Sequence, residues 1–261
     1  MIELSNVCGL PIYFNEETGD ISYGEEVACS KSEDIVLSDV IPVLLNKYLK
    51  YPEKIYQCFH DVVHNDDTNE SDNGLSYDII RIPFGLLGVE YIKTHIYHSK
   101  FKKGKFSCVI EIISGELTVL LQKNADEQEE YSLNTDVEEA NIITLEKGDK
   151  FSIPTGYYYT FVNAGREHVV FSIISSAEHS IADYATLEKD KGLAFYIISK
   201  NAKIEVVANP KYKLLNELVM GTWKDLRSSL KDKFSLGFDE TSPIYSLLKS
   251  KAKFLEEIIA A

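Results

Sequence analysis

His98 and Tyr159 are the two side chains best suited to moving a proton at neutral pH: imidazole titrates in that range, and a phenol is a workable acid inside a pocket. Together they could take a proton from a carbon beside a carbonyl and return one from the opposite side. Arg81, Lys93 and Thr94 are candidates to hold an anionic group of the same substrate, since a buried cation needs a partner. His95 neighbours this set. His60, His64, His168 and His179 fall on loops or outer strands and are expected to do no chemistry. Cys8, Cys29, Cys58 and Cys108 form no CxxC pair and follow no regular spacing, which gives no support to a zinc site of that type or to a disulfide framework. Free thiols in a reducing compartment are expected.

Such side chains converge only if a rigid framework carries them. From residue 77 to 207, β-branched and aromatic runs alternate with Gly, Asn, Asp and Lys-Gly turns, the text of an all-β barrel or sandwich. The pattern predicts strands over 77–82, 89–98, 106–113, 117–122, 140–145, 150–153, 158–163, 168–174, 193–199 and 203–207. Residues 1–76 read as a lead-in arm. It carries one helix over 37–45, with Ser38 or Asp39 as cap and Pro42 in the first turn, and an acidic loop over 60–76. Residues 124–139 read as an exposed acidic hairpin tip. Residues 211–261 turn helical: Leu214, Leu215, Leu218 and Val219 form one stripe, and Ile244, Leu247, Leu248, Leu255, Ile258 and Ile259 another, opened by Ser242-Pro243. The expected units are therefore 1–76, 77–210 and 211–261.

Lys and Arg number 27 against 41 Asp and Glu, a formal charge of −14, so nucleic acid and anionic membrane surfaces are not expected partners. No stretch reaches the ~18 apolar residues of a membrane span, and the first twenty residues lack a basic and then apolar leader. A cytoplasmic protein is expected.

Gly148, Pro154, Gly156 and Asn163 resemble the second cupin motif, G-x5-P-x-G-x2-H-x3-N, at every fixed position except the histidine, which is Tyr159. Gly115 resembles the glycine closing the first cupin motif. Counting back from it places Cys108 at the glutamate position, and the paired histidines fall on Ile96 and His98. Longer stretches resemble the archaeal-type glucose-6-phosphate isomerase family, a cupin group: Tyr77 to Gly85, Glu90 to His98, Ser114 to Gln122, Asp183 to Leu187 and Val207 to Tyr212. The resemblance spans about residues 35–212. It implies a cupin double-stranded β-helix, or jelly-roll barrel, with an N-terminal arm and a C-terminal helical extension. It also implies a divalent-metal enzyme interconverting an aldose phosphate and its ketose, and it adds Cys108 and Tyr184 to the pocket residues. This chain departs from the family at three of four ligand positions, Ile96, Cys108 and Tyr159. One remaining imidazole, His98, cannot hold a metal, so neither metal nor cofactor is expected. Strand alternation points His95 away from the His98 face unless a bulge intervenes, and Glu111 has the wrong parity relative to Cys108.

Two functions fit these observations. One is a metal-independent isomerase or epimerase that takes a sugar-phosphate-like or other anionic ligand, with His98 and Tyr159 catalytic and Lys93, Thr94, Arg81, Cys108 and Tyr184 around the substrate. The other is a non-catalytic cupin that binds a small ligand or a protein partner through its C-terminal helices. The apolar stripe of the last helix must be covered, and a homodimer is the expected assembly.

Overall fold

A computed structural model describes residues 1–67, 75–98, 106–125, 135–176, 180–235 and 241–249. The chain opens with β1 (Ile2–Glu3), α1 (Ser5–Cys8), β2 (Ile12–Phe14) and β3 (Ile21–Tyr23), whose strands form a small antiparallel sheet. Next come β4 (Val27–Ala28), β5 (Lys31–Val36), α2 (Leu37–Val40), β6 (Lys54–His60) and β7 (Val63–His64). The central run is β8 (Leu75–Ile82), β9 (Leu86–Leu87), β10 (Glu90–Lys93), β11 (Tyr97–His98), β12 (Phe106–Ser114), β13 (Glu116–Asn124), β14 (Asp136–Glu146), β15 (Lys150–Pro154), β16 (Tyr158–Asn163) and β17 (Val169–Ser176). It is followed by β18 (Ser180–Ile181), α3 (Tyr184–Asp190), β19 (Phe195–Lys200), β20 (Lys203–Ala208), β21 (Lys213–Leu214), β22 (Val219–Thr222), α4 (Trp223–Phe234) and α5 (Tyr245–Lys249).

Two sheets share the central strands, and the chain crosses between them repeatedly. One runs β15-β12-β17-β8-β6-β5. The other holds β20-β19-β10-β16-β13-β14-β21, with β11 also on β16. Winding back and forth between facing sheets in this order is the double-stranded β-helix of a cupin. Between the sheets lies the main core, in which Ile110, Ile112, Val119, Leu121, Phe151, Phe161 and Phe171 are buried together. Local sequence fixes the corners. Gly115, at φ +81°, makes the β12–β13 turn, and a Cβ there would lie 2.6 Å from the His168 carbonyl oxygen, so no other residue fits without moving backbone. Asn163 closes the last corner: its side-chain amide donates to the carbonyls of Ile82 and Glu167, and its oxygen accepts from the Gly165 N–H.

Three expectations change. The segment before residue 77 is woven into the barrel: β6 pairs with β8, and β5 pairs with β6 as the sheet edge. Both faces of β6 find cover, which buries Ile55, Tyr56, Cys58 and Phe59 and removes the simple alternation that reveals a strand in sequence. The helix expected over 37–45 is α2 plus a 3-10 turn at Ile41–Val43, with the Asp39 carboxylate accepting from the Val36 N–H. After the barrel, Leu214 and Val219 belong to short strands that pair in parallel with β14, not to a helix. The helix starts at Trp223, where the Thr222 hydroxyl accepts from the Asp225 N–H, and it plugs the barrel end through Trp223 and Phe234, each ring centroid 5.0 Å from that of Phe151.

The last helix begins against its own chain. Ile244 and Tyr245 are buried on the outer face of the six-stranded sheet among Leu4, Phe14, Tyr77 and Val109, with Leu247 and Leu248 packed on the same cluster. Leu255, Ile258 and Ile259 lie outside the described residues, as do His179 and most of the acidic tip. Among the described residues, no helix is long and apolar enough to cross a membrane.

Candidate functional site

The site turns on one extra residue. β10 meets β16 with Lys93 opposite Val162, and β11 meets it with Tyr97 opposite Tyr159. Four steps on one strand therefore match three on the other, so Thr94, His95 and Ile96 form a bulge. Thr94 holds it in place: its N–H donates to the Phe161 carbonyl, its hydroxyl donates to the His95 carbonyl, and that same oxygen accepts the Phe161 N–H. Beyond the bulge every side chain changes face.

His95 and Tyr97 therefore point into the barrel, while Ile96 and His98 point out of it. Ile96 is buried in the outer cluster with Leu120, Ile142 and Leu187, and His98 stacks on Tyr158 with ring centroids 3.9 Å apart and planes 11° apart. His98 and Tyr159 thus occupy opposite faces of the sheet and cannot act on one substrate. This corrects the pairing expected from uninterrupted alternation.

The inward side chains form a chain of hydroxyls. Tyr56 OH lies 2.5 Å from His95 Nδ1 and 3.3 Å from Tyr97 OH, and the Tyr97 ring stacks on Tyr159 with centroids 5.7 Å apart. Tyr159 OH in turn lies 3.1 Å from Ser107 Oγ and 3.4 Å from Cys108 Sγ. Burial raises the pKa of all three phenols, pushes the Cys108 thiol up to about 12, and lowers that of His95, leaving a neutral imidazole among protonated hydroxyls.

His95, Tyr56 and Tyr97 wall a cavity of about 290 Å³ between the sheets, which Cys58, His60, Asp78 and Glu33 line toward its far end. Of the sequence candidates, Tyr184 stands beside it: its ring lies 5.9 Å from that of His95, and its hydroxyl accepts the Ile96 N–H. Tyr159 and Cys108 lie behind Tyr97 in the core. Lys93 is buried in a 2.6 Å ion pair with Glu90 and donates to the Val43 carbonyl, away from the cavity. Arg81 is on the outer sheet face, where a Cβ on Gly19 would come within 2.5 Å of its guanidinium. Glu111 is on that outer face too, with Lys150 at 3.2 Å and the Ile244 N–H at 2.9 Å. Glu33, Tyr56, Cys58, His60, Asp78 and Tyr97 escaped sequence reasoning. The i, i+2, i+4 run Tyr56-Cys58-His60 was the available signal.

The four positions that converge on the barrel interior are His95, Tyr97, Cys108 and Tyr159. One imidazole and one thiol beside two phenols, with no carboxylate, fall short of the three or four His, Cys or carboxylate donors a divalent metal takes. Among the described residues, no three His, Cys, Asp or Glu side chains cluster as metal ligands do. The residues present do not fit the metal that the resemblance implies.

The glucose-6-phosphate isomerase family model matches residues 39–213, more than half of the chain. The chain belongs to this family. It is 28% identical over 149 residues to a glucose-6-phosphate isomerase of Pyrococcus abyssi, an alignment covering 56% of this chain and 69% of that protein. Solved structures similar in part include oxalate decarboxylase of Bacillus subtilis (14% identity, 49% of this chain, 28% of that one, TM-score 0.33). Hazelnut vicilin also matches (14% identity, 51% of this chain, 33% of that one, TM-score 0.33). This chain spans about a third or less of the length of those two proteins.

Proposed function

We propose that this family member binds a sugar-like small molecule in the cavity between its sheets and moves a proton on it without a metal, as an isomerase or epimerase does. The observation carrying this reading is the His95–Tyr56–Tyr97 line on the cavity wall. With its proton on Nδ1, His95 donates to the Tyr56 oxygen and keeps a lone pair on Nε2 for a substrate proton. Tyr56 can then donate to Tyr97, so the positive charge that develops on the ring is met by aligned hydroxyl dipoles. His95 takes the role that sequence reasoning gave to His98, while Tyr56 fixes its tautomer and orients it.

A homodimer belongs to the same proposal. Its support is β20, the edge strand of the larger sheet, with Ile204 and Val207 exposed. The buried start of the last helix does not favour that helix as a partner's docking surface.

Proton transfer is read by incubating the protein with aldoses and ketoses in D2O with a chelator and following deuterium at the carbon beside the carbonyl. Uptake should fall about 100-fold or more in His95→Gln and be reduced in Tyr56→Phe. Uptake unchanged in His95→Gln would refute the assignment. Binding without uptake would make the pocket a non-catalytic one.

A further inference from the structure

The cavity has two chemically different ends. Tyr56, Cys58 and His60 share one face of β6, so His60 stands four residues from Tyr56, about 13 Å along an extended strand. That is close to the span of an open six-carbon sugar with a hydrogen bond at each end. If the carbonyl end of a ligand meets His95 and Tyr56, its distal end meets the His60 end.

That end is acidic. His60 Nδ1 lies 3.1 Å from Asp78 Oδ2, and its Nε2 lies 3.5 Å from Glu33 Oε2. The hydrogen bond to Asp78 raises the His60 pKa, so one positive charge at most faces two carboxylates. Lys31 stands at the rim, already 3.0 Å from Glu33. No lysine or arginine lines the cavity among the described residues, and Lys93 and Arg81 point elsewhere. The remaining polar groups are the hydroxyls of Ser76 and Ser175, 3.4 Å apart. A phosphate dianion would meet two anions and lose its water for one shared imidazolium. Neighbouring sugar hydroxyls, by contrast, can donate to carboxylates and accept from His60.

We propose that the pocket takes an unphosphorylated sugar, whose distal hydroxyls are read by Asp78, Glu33 and His60, and rejects the corresponding sugar phosphate. This rests on the binding reading above and specifies its ligand.

The test is calorimetric titration of the full chain with glucose, mannose and fructose and with the 6-phosphate of each. At least one neutral sugar should bind, its 6-phosphate at least about tenfold more weakly, and Asp78→Asn should weaken the neutral sugar about tenfold. Because Asp78 also accepts the Asp61 N–H, Glu33→Gln serves as a second variant if Asp78→Asn does not fold. A 6-phosphate that binds as tightly as its neutral sugar overturns the inference and leaves the pocket standing. Neutral-sugar binding unchanged in the folded variants also overturns it. If none of the six ligands binds, the pocket reading fails, and this inference fails with it.

Discussion

If the bulge sets the inward face, a metal site can be built at His95, Tyr97, Cys108 and Tyr159. In the variant Tyr97→His/Cys108→Glu/Tyr159→His, three imidazoles and one carboxylate would converge from neighbouring strands, a donor set suited to zinc or nickel. The wild-type contacts show that these positions meet: the Tyr97 and Tyr159 rings stack at 5.7 Å, and Cys108 Sγ lies 3.4 Å from Tyr159 OH. Without metal the variant should be destabilised by about 3–5 kcal/mol, because position 108 is fully buried and its new carboxylate would lack a counter-charge. Metal at about 100 times its Kd should then return about 2.7 kcal/mol, a rise in Tm of roughly 5–10 °C for a domain of this size. Thermal unfolding with and without metal, together with elemental analysis, reads this directly. Wild type should show no shift. Ile96→His/Cys108→Glu/Tyr159→His, which places its imidazole at position 96 beside His98 on the outer face, keeps one inward donor fewer and should show a smaller shift. If the carboxylate prevents folding, Tyr97→His/Tyr159→His still offers three imidazoles and should bind metal more weakly. A metal-dependent shift confined to the Ile96→His set would refute the bulge and every face assignment that follows from it.

Glu111 and Lys150 are a buried pair, their side chains 2% and 5% exposed, so Glu111→Ala should cost about 3–5 kcal/mol by thermal unfolding; Glu111→Gln/Lys150→Met should recover much of it, and a single variant as stable as wild type would contradict this. Truncation before Thr241 should lower Tm by removing Ile244 and Tyr245 from the outer cluster, while light scattering shows an unchanged dimer; a folded monomer would return the dimer contact to the last helix. The folded pKa of His60 is raised by Asp78, so its contribution is fully present below the unfolded value near 6.5 and fades as pH rises through the folded value. Wild type should therefore lose stability relative to His60→Gln from about pH 6 upward; a difference independent of pH would show that His60 does not ionise as inferred.

Most barrel strands after residue 76, the Gly115 corner and the Pro154-x-Gly156 turn were legible because each is local: alternation and positive φ leave their mark within a few residues. The family was legible for the same reason, since its punctuating residues keep their spacing even where the ligands do not. The short strands at Leu214 and Val219 were not, because only the free side of β14 turns an apolar run into a strand.

By itself the sequence determined the cupin barrel and the family. Tertiary structure decided which residues face the cavity. The bulge at Thr94–Ile96 is a one-residue offset held by contacts with Phe161, 65 or more positions away in the chain, and the acidic far end comes from β5, β6 and β8, paired only in the folded sheet. A single-residue slip costs nothing in composition or spacing, yet it exchanges every side chain between the core and the outer face. That is why His95 rather than His98 faces the cavity.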